Sequence, residues 1–227
     1  MTALGLKMIA LITMTIDHVG MVIFPDVVVY RIIGRVAFPL YAYLAAEGCR
    51  HTGNPRRYLM RLGLFALVSE LPFNLARVGK FFHPQEQNIF FTLLLGVAAC
   101  LLYSHLRSRG NPATILPPVL LCLLGQLLRV DYGWYGVAMI FAFYLAERKL
   151  PQSALALTAL TAVSQWPAIA VVMMRPELAF YAVQLWCLLA LLPIAFYNGR
   201  RGGGPKLLFY WYYPAHLLGI YLLSLVL

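Results

Sequence analysis

TMTIDHVGMVIFPDVVVYRIIGRVAFPLYAYLAAEG, residues 13–48, joins two apolar runs across the turn signal Pro25-Asp26. Each run is long enough to cross a bilayer, which takes about 20 mostly apolar residues. Yet the runs carry Asp17, His18, Arg31, Arg35 and Glu47. Hydrocarbon penalises charged side chains near a helix centre by roughly 2.5–3.5 kcal/mol each, so such groups need partners or a purpose.

The whole chain repeats this pattern. Of 227 residues, 62% are hydrophobic and 11% charged, and the mean hydropathy is +0.76. A soluble domain carries about 25% charged residues, so the composition predicts an integral membrane protein without a separate soluble domain. Cys49, Cys100, Cys122 and Cys187 sit singly in apolar runs, as small core hydrophobes do. Asp17-His18 interrupts the first run where a cleavable signal needs its apolar centre, so that run reads as a retained helix.

Helices are the expected spanning elements, because lipid offers the backbone no hydrogen-bond partners and no alternating barrel pattern is present. The reading is an all-α, polytopic membrane helix bundle, a single domain over 1–227 with about nine transmembrane helices. The expected spans are 4–24, 31–49, 58–78, 88–106, 113–129, 133–147, 152–173, 178–197 and 206–226, broken at signals such as Gly53-Asn54-Pro55, Gly110-Asn111-Pro112 and 202–205. With the N-terminus inside, twelve of the 18 Lys and Arg fall on the cytoplasmic side, and the positive-inside rule predicts N-in. The +10 charge then reports topology and attraction to anionic lipid, with no nucleic-acid partner implied. Prolines 39, 72, 193 and 214 fall inside spans and predict kinks that open cavities.

This topology sets Asp17, His18, Arg31, Arg35, Glu70, Asn74, Asn88, Thr92, Asp131 and His216 near one level toward the outer face. Arg31/Arg35, Glu70/Asn74, Asn88/Thr92 and Tyr212/His216 are i, i+4 pairs, each sharing a helix face. Asp17 and His18 point about 100° apart, so an arginine of the second span is the better partner for Asp17. His18 is the group suited to take and return a proton near neutral pH. Arg31 and Arg35 are suited to hold a carboxylate or to stabilise a developing oxyanion. The bland reading is that these groups only pair and hold the bundle together. Glu47 with Arg50 and His51 reads as an ion-pair network at the inner surface. Arg56, Arg57, Arg200 and Arg201, the last two before three glycines, suit phosphates, although positive-inside bias explains such clusters equally well. No metal site is expected.

Six blocks resemble the TraX family of multi-pass bacterial membrane proteins: IALITMTIDHVG, RIIGRVAFPLYAYLAAEGCRHT, RYLMRLGLFALVSELPFNLA, NIFFTLLLG, VDYGWYGV and YWYYPAHL. They cover nearly the whole chain. That family is associated with N-terminal acetylation of conjugative pilin, and it is distantly similar to the transmembrane acyltransferases that include the lysosomal heparan-α-glucosaminide N-acetyltransferase. The resemblance implies a bacterial cytoplasmic membrane protein that uses acetyl-CoA as donor and a pilin-like or other envelope amine as acceptor. It implies His18 as general base with Asp17 and Arg35 beside it. Arg31, Glu70, Asn74, Asn88, Thr92, Asp131, Tyr213 and His216 become candidate substrate-binding residues, and Arg56, Arg57, Arg200 and Arg201 candidate CoA-binding residues. The competing expectation is a proton-coupled transporter using Asp17, His18, Glu70 and His216. A non-catalytic assembly factor would show effects of substitution on abundance alone.

Overall fold

Local capping chemistry sets the main helices. In the computed structural model, which describes residues 1–204 and 206–227, Thr2 caps α1 (Ala3–Val22) by accepting from the Gly5 amide. The third and fourth residues of the chain also donate to the carbonyls of Arg200 and Arg201, which satisfies first-turn amides that the helix cannot. Asn54 accepts from the Arg57 amide at 2.9 Å, Pro55 supplies the first position of α4 (Pro55–Val78), and Gly79 ends that helix at φ 67. Asn88 caps α5 (Ile89–Ser108). Pro205, the last residue of one expected break, lies outside the described residues.

The second span is in two pieces, α2 (Val28–Gly34) and α3 (Ala37–His51), broken at Arg35-Val36. The chain continues through α6 (Leu116–Leu127), α7 (Gly133–Leu145), α8 (Leu150–Ser164) and α9 (Trp166–Met174). Two 3-10 stretches, Pro176–Tyr181 and Val183–Ala190, lead to α10 (Leu191–Ala195) and then α11 (Lys206–Ser224). All regular elements among the described residues are helical, with a single bridge between Gln87 and Val130. Helix α1 packs on α2, α3 and α11; α5 packs on α4, α6 and α7; α7 packs on α3 and α8. Leu40, Val97, Met139, Ile140, Phe143 and Leu217 are fully buried where these helices meet. The outward surface is also apolar: Leu67 is 69% and Leu155 70% exposed. A soluble protein avoids large contiguous patches of that kind, and a bilayer favours them.

The nine expected spans are corrected to four. Among the described residues, Ala3–Val22, Val28–His51, Pro55–Val78 and Ile89–Ser108 are long and apolar enough to cross a membrane, and α8 with α9 makes a fifth if their 76° bend lies within one span. Hydropathy counts apolar runs, whereas crossing needs a nearly straight helical path that rises about 30 Å. At 1.5 Å per residue the 12-residue α6 and 13-residue α7 reach about 18 and 20 Å. Arg129 and Tyr132, at φ 53 and 63, stop the right-handed helix on one side of that pair, and Glu147 and Arg148, at φ 49 and 64, stop it on the other. Pro167 falls at the start of α9, and the expected span 178–197 is divided among 3-10 turns and five residues of α-helix.

Candidate functional site

Helix α1 presents Ala3, Lys7, Met14, His18 and Met21 on one face at steps of three, four and seven residues, and all five line one large cavity. Its volume is about 1320 Å³. From Ala3 to Met21 the helix rises about 27 Å, so the cavity runs along nearly the full length of α1. One end is basic, with Lys7, His51, Arg57, Arg61 and Arg201 in its wall; the other holds Asp17, His18, Arg31, Arg35, Arg77, Arg129 and Asp131.

At the His18 end, Asp17 is clamped between two guanidinium groups. Arg35 donates from Nη2 to both carboxylate oxygens at 2.8 and 2.7 Å, and Arg31 Nη1 lies 3.0 Å from Oδ2. The approach is close because residue 34 is glycine: a Cβ there would stand 2.1 Å from the Asp17 side chain. Arg35 also donates to the Gln184 amide oxygen and the Arg31 carbonyl, which occupies all three of its nitrogens. Among the described residues Arg31 makes its hydrogen bonds through Nη1, and its Nε and Nη2 are the nitrogens that could meet a ligand in the cavity.

His18 does not bond to Asp17. Its Nδ1 lies 2.7 Å from Nε2 of His216 on α11. One turn back along both helices, the hydroxyls of Thr15 and Tyr212 meet at 2.7 Å, so two polar contacts in register join α1 to α11. Tyr213, which lines the cavity, stands edge-on to His18 with ring centroids 6.0 Å apart.

The turn between α6 and α7 completes this end. Gln87 donates to the Arg129 carbonyl and accepts from the Asp131 amide, which fixes the turn despite the left-handed residues on either side of Asp131. Tyr132 stacks on Phe38 at 4.0 Å. Burial pushes the Asp131 carboxyl up to about 6, against the pull of Arg35 and Arg77.

At the basic end, buried Glu47 gathers Arg50 at 2.6 Å, Arg148 at 3.2 Å and His51 at 3.7 Å. Arg50 reaches on to the carbonyls of Phe143 and Tyr144, near the C-terminal end of α7, where a cation is favoured. The expected network is therefore a tie between α3 and α7.

A family model described as TraX protein matches residues 3–224. The chain belongs to the TraX family. It is similar to a probable fimbrial assembly protein FimC, serogroup H1, of Dichelobacter nodosus, 29% identical over 95% of this chain and 93% of that protein. It is also similar to an uncharacterized protein of Rickettsia prowazekii, 48% identical over 63% of this chain and 55% of that one. No solved structure matches.

In this TraX chain the candidate residues divide clearly. Asp17, His18, Arg31, Arg35, Asp131, Tyr213, Arg57 and Arg201 line the cavity. Glu70, Asn74, Asn88, Thr92, His216, Arg56 and Arg200 do not. Asn88 spends its side chain on the Phe90 amide, the Ala66 carbonyl and, at 2.5 Å, Glu70. Thr92 donates to the Asp131 carbonyl and Asn74 is 1% exposed, so these groups build the wall behind the cavity. Lys7, Arg61, Arg77 and Arg129 are cavity cations that the motif reading passed over. Helical spacing was the available signal: 3, 7, 14, 18 and 21 on α1, and 57, 61, 73 and 77 on α4.

Proposed function

We propose that this TraX protein is a membrane-embedded N-acetyltransferase of the bacterial cytoplasmic membrane, lying N-in, that moves an acetyl group from acetyl-CoA to an amine at the outer face. The observation that carries the reading is the single cavity joining an arginine-lined end to His18 and Arg31. Arg57 and Arg201, with Lys7 and Arg61, hold the phosphates of CoA at the inner mouth, and the pantetheine arm lies along α1. The thioester then rests beside His18.

The acceptor amine attacks the thioester carbonyl carbon while His18 takes a proton from nitrogen. Arg31, through its Nε and Nη2, stabilises the oxyanion. When the intermediate collapses, the C–S bond breaks and His18 returns the proton to sulfur, so an amine and acetyl-CoA become an N-acetyl amide and CoA. Asp17 and Arg35 hold Arg31 in place. The fimbrial assembly relative supports a pilin-like acceptor. Transport through Asp17, His18, Glu70 and His216 is less well supported, because Glu70 and His216 lie outside the cavity wall and Asn88 holds the Glu70 carboxylate.

The test is purified protein in nanodiscs with labelled acetyl-CoA and peptides bearing a free N-terminal amine. Labelled peptide and released CoA are expected, with a loss of about 10²- to 10⁴-fold in His18→Ala at normal abundance. Wild-type rates in His18→Ala would remove the base assignment. Proton flux in liposomes without consumption of donor would replace the whole reading by transport.

A further inference from the structure

Hydrogen-bond direction at the α1–α11 seam is fixed by one carbonyl. His216 Nδ1 lies 2.8 Å from the backbone oxygen of Tyr212, which can only accept, so Nδ1 carries hydrogen. In a neutral His216 the lone pair is then on Nε2. That atom is the one 2.7 Å from His18 Nδ1, so His18 must donate from Nδ1. The consequence is that neutral His18 keeps its lone pair on Nε2. The two rings are 22° from parallel with centroids 4.9 Å apart, and His18 lines the cavity while His216 stands behind it.

We propose that His216 is the positioning residue of the acetyl-transfer site, a neutral acceptor that locks His18 in the Nδ1–H tautomer and leaves Nε2 as the base. This rests on the acyltransferase reading for its function, although the tautomers themselves do not. The arrangement replaces the carboxylate that usually orients a catalytic histidine. Its reason is local: the nearest carboxylate, Asp17, is committed to Arg31 and Arg35. An imidazole acceptor shares, through the Nδ1–Nε2 hydrogen bond, the positive charge that arises when His18 takes a proton from the amine. The Thr15–Tyr212 contact one turn away holds the seam in register, so the His18–His216 distance does not depend on one bond.

The experiment pairs two substitutions with a spectroscopic readout. His216→Gln keeps an oxygen acceptor near the position of Nε2, whereas His216→Leu removes it. His216→Leu is expected to lower kcat by roughly 10- to 100-fold with KM for acetyl-CoA unchanged, and His216→Gln to recover most of the rate. Nitrogen-15 NMR of histidine-labelled protein in nanodiscs is expected to show hydrogen on Nδ1 of both His18 and His216. Hydrogen on His18 Nε2, a wild-type kcat in His216→Leu, or equal impairment in both variants overturns the proposal. The spectra need no turnover: if wild-type protein transfers no acetyl group, the acyltransferase reading falls alone and the nitrogen shifts still decide the tautomer.

Discussion

Asp17 is the residue on which the His18 end of the cavity is built, and its loss should be felt first as stability. Its carboxylate is shared by two guanidinium groups that are largely out of water, with side chains 12% and 27% exposed. Removing one partner of such a pair leaves uncompensated charge, at a cost of about 3–5 kcal/mol. Asp17→Asn is therefore expected to lower the melting temperature in detergent markedly. Adding Arg35→Gln to it should restore part of the loss, because the second change removes a cation the first left unpaired. If the double variant melts lower than the sum of the singles allows, the clamp is not the dominant interaction. Gly34→Ala should resemble Asp17→Asn without touching a charge, since its methyl group would occupy the space of the Asp17 side chain.

Among elements, the α6–α7 turn is under tension, with bulky left-handed residues on both sides of a carboxyl that burial makes hard to ionise. The folded protein holds Asp131 protonated up to about pH 6, whereas an unfolded chain releases that proton near 3.9. The folded state thus binds more protons between those values, and this contribution to stability is lost as pH rises from about 4 through 6. Asp131→Asn should match wild type in thermal stability near pH 4 and exceed it at pH 7, by on the order of 1–2 kcal/mol once the partial exposure of residue 131 is discounted. A constant difference across that range would refute the assignment.

The same turn shows what the sequence could disclose. An arginine partner for Asp17 was legible, since neighbouring residues on a helix diverge by about 100° and the second span offered Arg31 and Arg35. The extents of α6 and α7 were nearly legible as well, since the expected 113–129 and 133–147 end within three residues of the observed helices; counting both as crossings was the error, because hydropathy marks an apolar run whether or not it is long enough to span. Not legible was the His18–His216 contact, which joins positions 198 residues apart; two separate histidines in apolar helices carry no sign of their mutual distance. The surroundings of Asn88 and Thr92 were hidden in the same way, since spacing gives a shared face but not what that face meets: Asn88 meets Ala66 and Glu70, and Thr92 meets the Asp131 carbonyl.

For the molecule as a whole, the claim that matters is continuity between the two ends of the cavity. In a chain lying N-in, positive-inside bias also favours arginines at the Lys7 end, so the donor site is tested by continuity and not by charge. Continuity does make a separate demand: a donor bound there must reach His18 past Met14, which lines the passage between them and is 8% exposed. Met14→Trp enlarges that side chain away from both the basic cluster and the Asp17 clamp. It should leave binding of CoA, measured by calorimetry, within about 2-fold of wild type, since 1.4 kcal/mol separates each tenfold step and no phosphate contact is removed. Acetyl transfer should fall at least 10-fold, because a thioester held even about 1 Å short of the base reacts far more slowly. Arg57→Glu should do the opposite, weakening CoA while sparing the tautomers at His18. If Met14→Trp abolishes CoA binding together with transfer, donor and base share one chamber at the His18 end, and the basic end serves topology alone.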